Sequence, residues 1–520
     1  MTSPDAAPSS SRSADDSWQL FAAFAAVFLV AYLVRRRSNP LHSIPTIGPS
    51  APILSWLGAF RYVYDTEGML REGYKKFDGT IFKISMLDGW LLVFTGPKLI
   101  DELRRSPDDE LSSMEGSTQV LQLRYTLGPG IDDQFHVAVV RDKLTRNLAA
   151  VFPDVLDEVQ AAFREYVPAE EDQWTAVTVW PVVQKIIARA SNRVIVGLPR
   201  CETGRDTEYL DVAIKFTNDV FVSSFVINLF PDFLKPLIAK AVPMVAKNKQ
   251  ILTPMVVPML QERQRLMDEH GESWDDKPRD MLQWLLEEAR AKGTAFDNVV
   301  EKVLLVNFGA IHTSSGAFTH ALYNLAAYTQ YMEPLREEVE NIVAEEGWSK
   351  ASIGKMRKLD SFLKESMRLA DGSLLNIFRK AMKDVTLSDG TRIPKGTLVA
   401  AAAITAHSDD TRYPDPAVFD PFRFARMREG GGLEEATRHQ LVNTSVDFIT
   451  FGGGKHACPG RFFAANELKT MMAHLVLNYD VKFAEEGKRP TNVRFGPADL
   501  PSHNAQVLFR KRRRGASPVV

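Results

Sequence analysis

A chain of 520 residues with 63 Lys and Arg against 65 Asp and Glu has no basic excess with which to bind nucleic acid. Its two cysteines exclude a disulfide framework and point to a reducing compartment for the body of the chain. A hydrophobic share of 45% beside 25% charged residues is enough to bury a sizeable core; the length alone allows about three domains, but no long Pro/Ser/Gly linker divides residues 51–520.

Residues 1–17 form a short polar tail. Trp18 to Val34 is apolar apart from Gln19, and Arg35, Arg36 and Arg37 follow at once. As a helix this run of ~17 residues rises about 25 Å, enough to cross a thin bilayer such as that of the endoplasmic reticulum. The arginines keep the following chain on the cytoplasmic side, which leaves the tail luminal. A cleaved signal peptide would carry a basic region before the apolar run and a small-residue cleavage site after it, and neither is apparent. The expectation is a single-pass anchor over 18–34 and a basic, proline-rich linker over 35–50, with Ile44-Pro45-Thr46-Ile47-Gly48-Pro49 stiff and non-helical. A cytoplasmic body over 51–520 then lies close to the bilayer.

Within the body, Val137 to Leu144 reads as helical and carries Arg141, Cys201 sits in a polar loop beside Arg200 and Glu202, and Phe221 to Met244 is an apolar stretch. Met267 to Asp280 reads as a surface loop. Asp297 to Gln330 reads as one long helix with Pro334 marking its end. Its centre, Val303 to Ile311, is apolar nearly all round and so should be buried. Gly309-Ala310-Ile311-His312-Thr313-Ser314 interrupts that run with small and hydroxylated residues, which admit a planar ligand and let a hydroxyl bond back to the backbone and open the helix. Taken alone, His312 is most simply a hydrogen-bonded core histidine.

Glu365 and Arg368, three apart, share a helix face; in isolation such a pair is a surface salt bridge worth little. Arg379 opens a strand-like region ahead of the Ser388-Asp389-Gly390 turn. Arg423 lies in Phe419-Asp420-Pro421-Phe422-Arg423-Phe424, and Arg426 to Thr444, with glycines at 430–432, reads as a surface loop. The basic tail from Arg510 to Arg514 is a solvated end or a contact for anionic lipid or an acidic redox partner.

Phe451-Gly-Gly-Gly-Lys-His-Ala-Cys-Pro-Gly-Arg-Phe-Phe-Ala464 places Cys458 between a glycine turn and an expected helix start. Glycines 452–454 permit a tight turn and close approach to a flat ligand. Pro459 suits a first helical position, making Cys458 the cap, where amide N–H groups and the helix dipole favour a thiolate. Such a cysteine is a nucleophile or a metal ligand. Zinc would need about four ligands at short spacings, and no second cysteine or histidine pair lies near.

With Phe451, the glycines, His456, Cys458 and Gly460 in order, this segment resembles the haem-binding signature of the cytochrome P450 family, in a wording close to fungal members. Five motifs occur in family order and spacing, and the resemblance covers nearly everything after residue 50. It implies a mainly α fold with a smaller β portion, here the cytochrome P450 fold preceded by one transmembrane helix. It also implies haem b held through the thiolate of Cys458, which favours O–O cleavage. By the same resemblance Phe451 lies at the haem, and His456, where most members have arginine, donates to a haem propionate. Arg379 pairs with a propionate, its rival reading being a solvated arginine, and Arg141 shares the task although Val137 replaces the usual tryptophan.

Thr313 falls at the threonine that helps deliver protons to iron-bound oxygen, and His312 where an acidic residue usually stands. His312 then relays protons, since it titrates near neutral pH, or contacts substrate while water does the relay. Glu365, Arg368 and Arg423 form a buried charged network that holds the cysteine loop.

The implied activity is monooxygenation of a lipophilic small molecule, with electrons from an NADPH-dependent cytochrome P450 reductase and cytochrome b5 as a second donor. A bulky terpenoid or related secondary metabolite is the leading substrate class, and an aromatic or xenobiotic compound the alternative. Expected walls are Phe221 to Met244, Phe308 to Thr313, Gly372 to Phe378 and Gly496 to Ser502. Isomerase or dehydratase members tend to lack the threonine, so Thr313 argues against that rival, and a non-enzymatic haem carrier would not need an oxygen groove.

Overall fold

The run from Phe296 to Ala327 that is apolar nearly all round forms a 32-residue helix buried among other helices. In this computed structural model, which describes residues 40–513 apart from 52, 78, 198–206, 272, 371 and 431, it is the axis of the helical part. Helices Val179–Ile195, Thr207–Asn228, Met281–Lys292 and Arg357–Leu369 all pack against it. The first buries Val183, Ile186, Ile187, Ala190 and Val194 at helical spacing. The anchor expected over 18–34, the arginines at 35–37 and Cys201 lie outside the described residues; among those described, no helix is long and apolar enough to cross a membrane.

The β portion is smaller. Its main sheet has six strands in the order Thr46–Ile47, Ile81–Met86, Gly89–Phe94, Leu398–Ala402, Leu375–Ala381, Leu111–Ser112. Ile81–Met86 and Gly89–Phe94 make an antiparallel hairpin, and Leu398–Ala402 runs parallel to Gly89–Phe94. The register between Leu398–Ala402 and Leu375–Ala381 shifts between Val399 and Ala401. At that irregularity Ile377 takes φ +53, a left-handed conformation that costs a β-branched residue about 1–2 kcal/mol. From Pro40 the proline-rich stretch packs on the body: Thr46 and Ile47 pair with Lys83 and Ile84, and Ile44 and Ile47 are buried.

Three expectations about elements are corrected. The central helix stops at Ala327, and Pro334 sits in the first turn of Met332–Glu346, where a missing N–H costs nothing. The surface loop expected over Met267 to Asp280 is shorter at both ends: Met267 belongs to the last turn of Met244–His270, and Asp280 caps Met281–Lys292 through Gln283 N while pairing with Arg263. Residues 426–444 contain the helical turns Arg423–Glu429 and Leu433–Arg438, and Arg428 is buried on Asp360.

Burial holds several histidines neutral. His320 and His407 are both pushed down to about 3, by burial first and then by Arg489 and Arg368 respectively, and both use one ring nitrogen as an acceptor, from Arg489 Nη2 and Ile449 N. Burial likewise pushes His136 and His312 to about 4. Glu467 opposes them: buried, with hydrogen bonds from Ser191 and Ser314, it is pushed up to about 8. A histidine lowered on folding stabilises above its unfolded value near 6.5 and loses that contribution as pH falls; a raised carboxyl gains as pH falls. Unfolding near pH 5 should therefore take up about three protons net from these groups (four histidines less one glutamate). The thermal midpoint is expected to drop as pH is lowered from about 6.5 to 5; a flat midpoint across that window would show that the buried histidines are not held neutral.

Candidate active site

The cysteine loop is built by a turn that doubles back on itself. Cys458 N donates to Phe451 O at 2.8 Å, Gly452 N to Ile449 O at 2.8 Å and Ala457 N to Gly454 O at 3.1 Å. Gly452 and Gly454 sit at φ +72 and +64, closed to most side chains. A Cβ on Gly454 would lie 2.3 Å from Arg104 O, and one on Gly453 3.2 Å from Arg104 Cβ and 3.4 Å from Ile377 Cδ1. A side chain at these positions would therefore meet the chain itself, at Arg104, Ile377 and His456 O.

The helix starts later than the proline suggests. It runs Arg461–Asn478 with Gly460 as its cap, so Cys458 precedes the cap by two residues. Burial pushes the Cys458 thiol up, against hydrogen bonds from Gly460 and Arg461 N–H and the Arg461 charge, which is the reverse of the expected lowering. The side chain is deep in the molecule and yet exposed, so it fronts an internal chamber. Phe451 is half-buried beside it.

What holds this loop is a buried carboxylate. Glu365 accepts from Arg368 Nε and Nη2 at 2.8 Å each, from Arg423 Nε at 3.2 Å and from Asp420 N at 3.2 Å. The side chains of Glu365 and Arg368 are 0% exposed. Arg423 spends its other donors on the carbonyls of Pro414, Asp415 and Val418. Arg368 Nη1 reaches His407 O at 2.5 Å, and His407 Nε2 accepts from Ile449 N at 3.0 Å. Ile449 O in turn accepts from Gly452 N, so the charged cluster is wired to the turn that carries Cys458.

Two donors converge on the other side of the turn. Arg379 is buried, its Nη1 donating to Ser113 Oγ at 3.1 Å and to Phe378 O at 2.9 Å, while its Nε has no partner. Burial lowers it to about 10, and the charge that bears on it is that of Asp108. His456 lies near enough for the Arg379 charge to lower it further, after burial. Its Nε2 lies 2.8 Å from Asp108 Oδ1, and that carboxylate works against the lowering. A buried guanidinium with an unpartnered N–H, together with the imidazole two residues before the thiol, suits a ligand that carries carboxylates. Arg141 is not among them: its guanidinium is exposed and pairs with Asp142 at 3.0 Å, in the π-turn Val139–Leu144.

On the central helix, Gly309 and Thr313 are exposed although Phe308, Ile311, Ser314 and Ser315 are buried, and a Cβ on Gly309 or Gly316 would meet nothing within 4 Å. Thr313 Oγ1 donates to Gly309 O at 2.7 Å within an unbroken helix, so the hydroxyl bonds back without the expected opening. His312 is half-buried, with Nδ1 3.1 Å from Asn218 Oδ1 and its ring against Phe221 and Trp180. Held near 4, it does not change charge around neutral pH. Sequence reasoning missed His407, Asp108, Asn218 and Glu467; each acts through a partner tens to hundreds of positions away, which no local spacing announces.

Residues 49–509 match the family described as Cytochrome P450. The chain belongs to the cytochrome P450 family. It is 47% identical over 497 residues to cytochrome P450 monooxygenase 151 of Postia placenta, covering 95% of this chain and 99% of that one. It is 30% identical over 505 residues to the ent-kaurene oxidase P450-4 of Gibberella fujikuroi, covering 96% and 98%. The solved structure of the retinoic acid-bound cyanobacterial CYP120A1 superposes with a TM-score of 0.68 at 20% identity, over 90% of this chain and 99% of that chain, a likeness of fold. As a fungal-type cytochrome P450 monooxygenase, the protein uses haem with a thiolate-bound iron and a redox partner, and the thiol and unpartnered donor described above suit such a group.

Replacing Glu365 with Gln leaves two buried arginines without their anion and should cost about 3–5 kcal/mol. Chemical denaturation reads this as a lower midpoint at unchanged slope; a loss under about 1 kcal/mol would show that the cluster is not the tie described.

Proposed function

We propose that this P450 is a membrane-anchored monooxygenase that oxidises a bulky lipophilic small molecule of the terpenoid class, with Cys458 as the axial ligand. The observation that carries this reading is the placing of the exposed Cys458 thiol in the turn flanked by the unpartnered Nε of Arg379 and by His456. Haem iron held by a cysteine thiolate supplies activation of dioxygen, inserting one oxygen atom into a C–H bond while the other leaves as water.

The protein's own groups set the conditions. Gly460 and Arg461 N–H groups stabilise negative charge on the Cys458 sulfur. Arg379 and His456 bind and orient carboxylates, as the open Nε of Arg379 favours. Thr313 commits its own proton to Gly309 O, so it presents lone pairs to the chamber and there orients a proton-bearing water. Glu365, Arg368 and Arg423 hold the loop and do no chemistry.

Support for the substrate class comes from aromatic side chains: Phe221 lies 5.0 Å from Phe308 and Phe225 5.3 Å from Phe495, and Phe378 is half-buried. A relative at 30% identity carries the name of an ent-kaurene oxidase, which favours a terpenoid over an aromatic or xenobiotic compound. Support for the endoplasmic reticulum membrane comes from the apolar run Trp18 to Val34 and from large apolar side chains left in the open. Ile53 (84%), Leu57 (62%), Phe60 (56%) and Tyr64 (74%) crowd on and before helix Ser55–Tyr64, and Phe233 is 77% exposed. Patches of this kind mark a docking face, which suits a body resting on the bilayer, with electrons from a membrane-bound NADPH-dependent reductase and from cytochrome b5.

Oxygen uptake with NADPH and reductase tests the reading across a panel of diterpenes, sterols and small aromatics. Product-linked uptake is expected with the terpenoids; uptake with none of the panel would contradict monooxygenation, and uptake with aromatics alone would shift the class. In Thr313→Ala, NADPH consumption should persist while hydrogen peroxide per NADPH rises about 10-fold or more, within the range typical of positioned proton-transfer groups. An unchanged peroxide yield would remove Thr313 from proton delivery.

A further inference from the structure

We infer that His312 is a positioning residue that ties helix Thr207–Asn228 across the central helix and sets how far that helix can lift from the reaction chamber. The inference rests on the chamber reading above, since it assigns Thr207–Asn228 the part of a covering element. It follows from where the ring lies. His312 precedes Thr313 by one residue, about 100° round the helix from it, and is half-buried where Gly309 and Thr313 are exposed.

The ring occupies a junction of three elements. From Thr207–Asn228, Asn218 Oδ1 lies 3.1 Å from Nδ1 and Phe221 packs its ring 4.3 Å away. From Val179–Ile195, Trp180 meets the imidazole edge-on at 5.6 Å, and Gln184 Nε2 donates to the same Asn218 Oδ1 at 3.1 Å. From the loop between the last strands, His503 stacks on the far face of Trp180 at 4.5 Å.

Asn218 Oδ1 is a carbonyl oxygen, so Nδ1 must carry the hydrogen and donate, which fixes the tautomer. Phe221 reaches over one turn of the central helix to touch both His312 and Phe308. The bond and the wedge together join the two helices at the level of Thr313. A donor committed to an amide carbonyl and packed against two aromatic rings is placed to hold Phe221 beside Phe308.

The test pairs His312→Phe, which keeps a ring and removes the bond, with Asn218→Ala and with the double variant, all as haem-loaded full-length protein. Amide hydrogen exchange over Thr207–Asn228 and the association rate of phenylimidazole with the haem are the two readouts. Each single variant should raise both by about 5- to 10-fold, the fold-change equivalent to one lost hydrogen bond. The double variant should match the larger single one within about twofold, because both remove the same bond. His312→Asn, whose amide N–H stands where Nδ1–H does, should restore wild-type exchange.

Independent, multiplying effects would overturn the tie. So would unchanged exchange over Thr207–Asn228 with a rise in hydrogen peroxide per NADPH, which is the signature of a proton carrier. The exchange measurement needs no turnover, so a protein that consumed no oxygen would contradict the proposed function and leave this result standing.

Discussion

The structure depends on one carboxylate that has been taken out of water. Glu365 is fully buried, and an ion there is tolerable only if every lone pair finds a donor; it finds Arg368 twice, Arg423 once and the backbone of Asp420 once. Burying three charges for stability alone is a poor bargain, since apolar packing of the same volume would often do as well. What the cluster adds is direction. Arg368 grips His407, His407 receives Ile449 N–H, and Ile449 closes the first bond of the glycine turn, so a charged pair on one helix fixes a loop about ninety residues later in the chain.

That fixed turn reconciles two demands on Cys458. A thiolate needs hydrogen-bond donors, and a ligand sulfur needs an open face. The loop meets both by placing the sulfur on the chamber wall and aiming Gly460 and Arg461 N–H groups at it from the protein side. Burial still raises the free thiol, so the loop does not by itself produce an anion; a bound cation would supply the missing term, as it does for other coordinating thiols. Arg379 repeats the pattern with the sign reversed: a buried cation with an unfilled donor that an anionic group would complete.

Much of this was legible from residues at short spacing. The tight turn at Cys458 and the buried pairing of Glu365 with Arg368 three residues on are local patterns that the structure repeats, and Thr313 bonds back to Gly309 O as a hydroxyl on a helix can. Patterns misled where a residue had two uses. Pro459 looked like a helix start, but Pro-Gly extends the turn and the helix waits until Arg461. Pro334 looked like a stop and is the opening of the next helix. Arg141 lies in the π-helical turn Val139–Leu144, with its guanidinium exposed and paired with Asp142. His312 taken alone read as a hydrogen-bonded core histidine, and it is one, but its partners Asn218, Phe221 and Trp180 come from other helices and no local spacing names them.

The central claim is that the internal thiol of Cys458 is the iron ligand in a loop held ready for it. The ferrous carbon monoxide spectrum of the wild type and of Cys458→His, each loaded with haem and compared at equal haem content, tests it most directly. The account predicts a thiolate-type Soret band in the wild type that is replaced by an imidazole-type band in the variant. The same thiolate-type band in both proteins would contradict it.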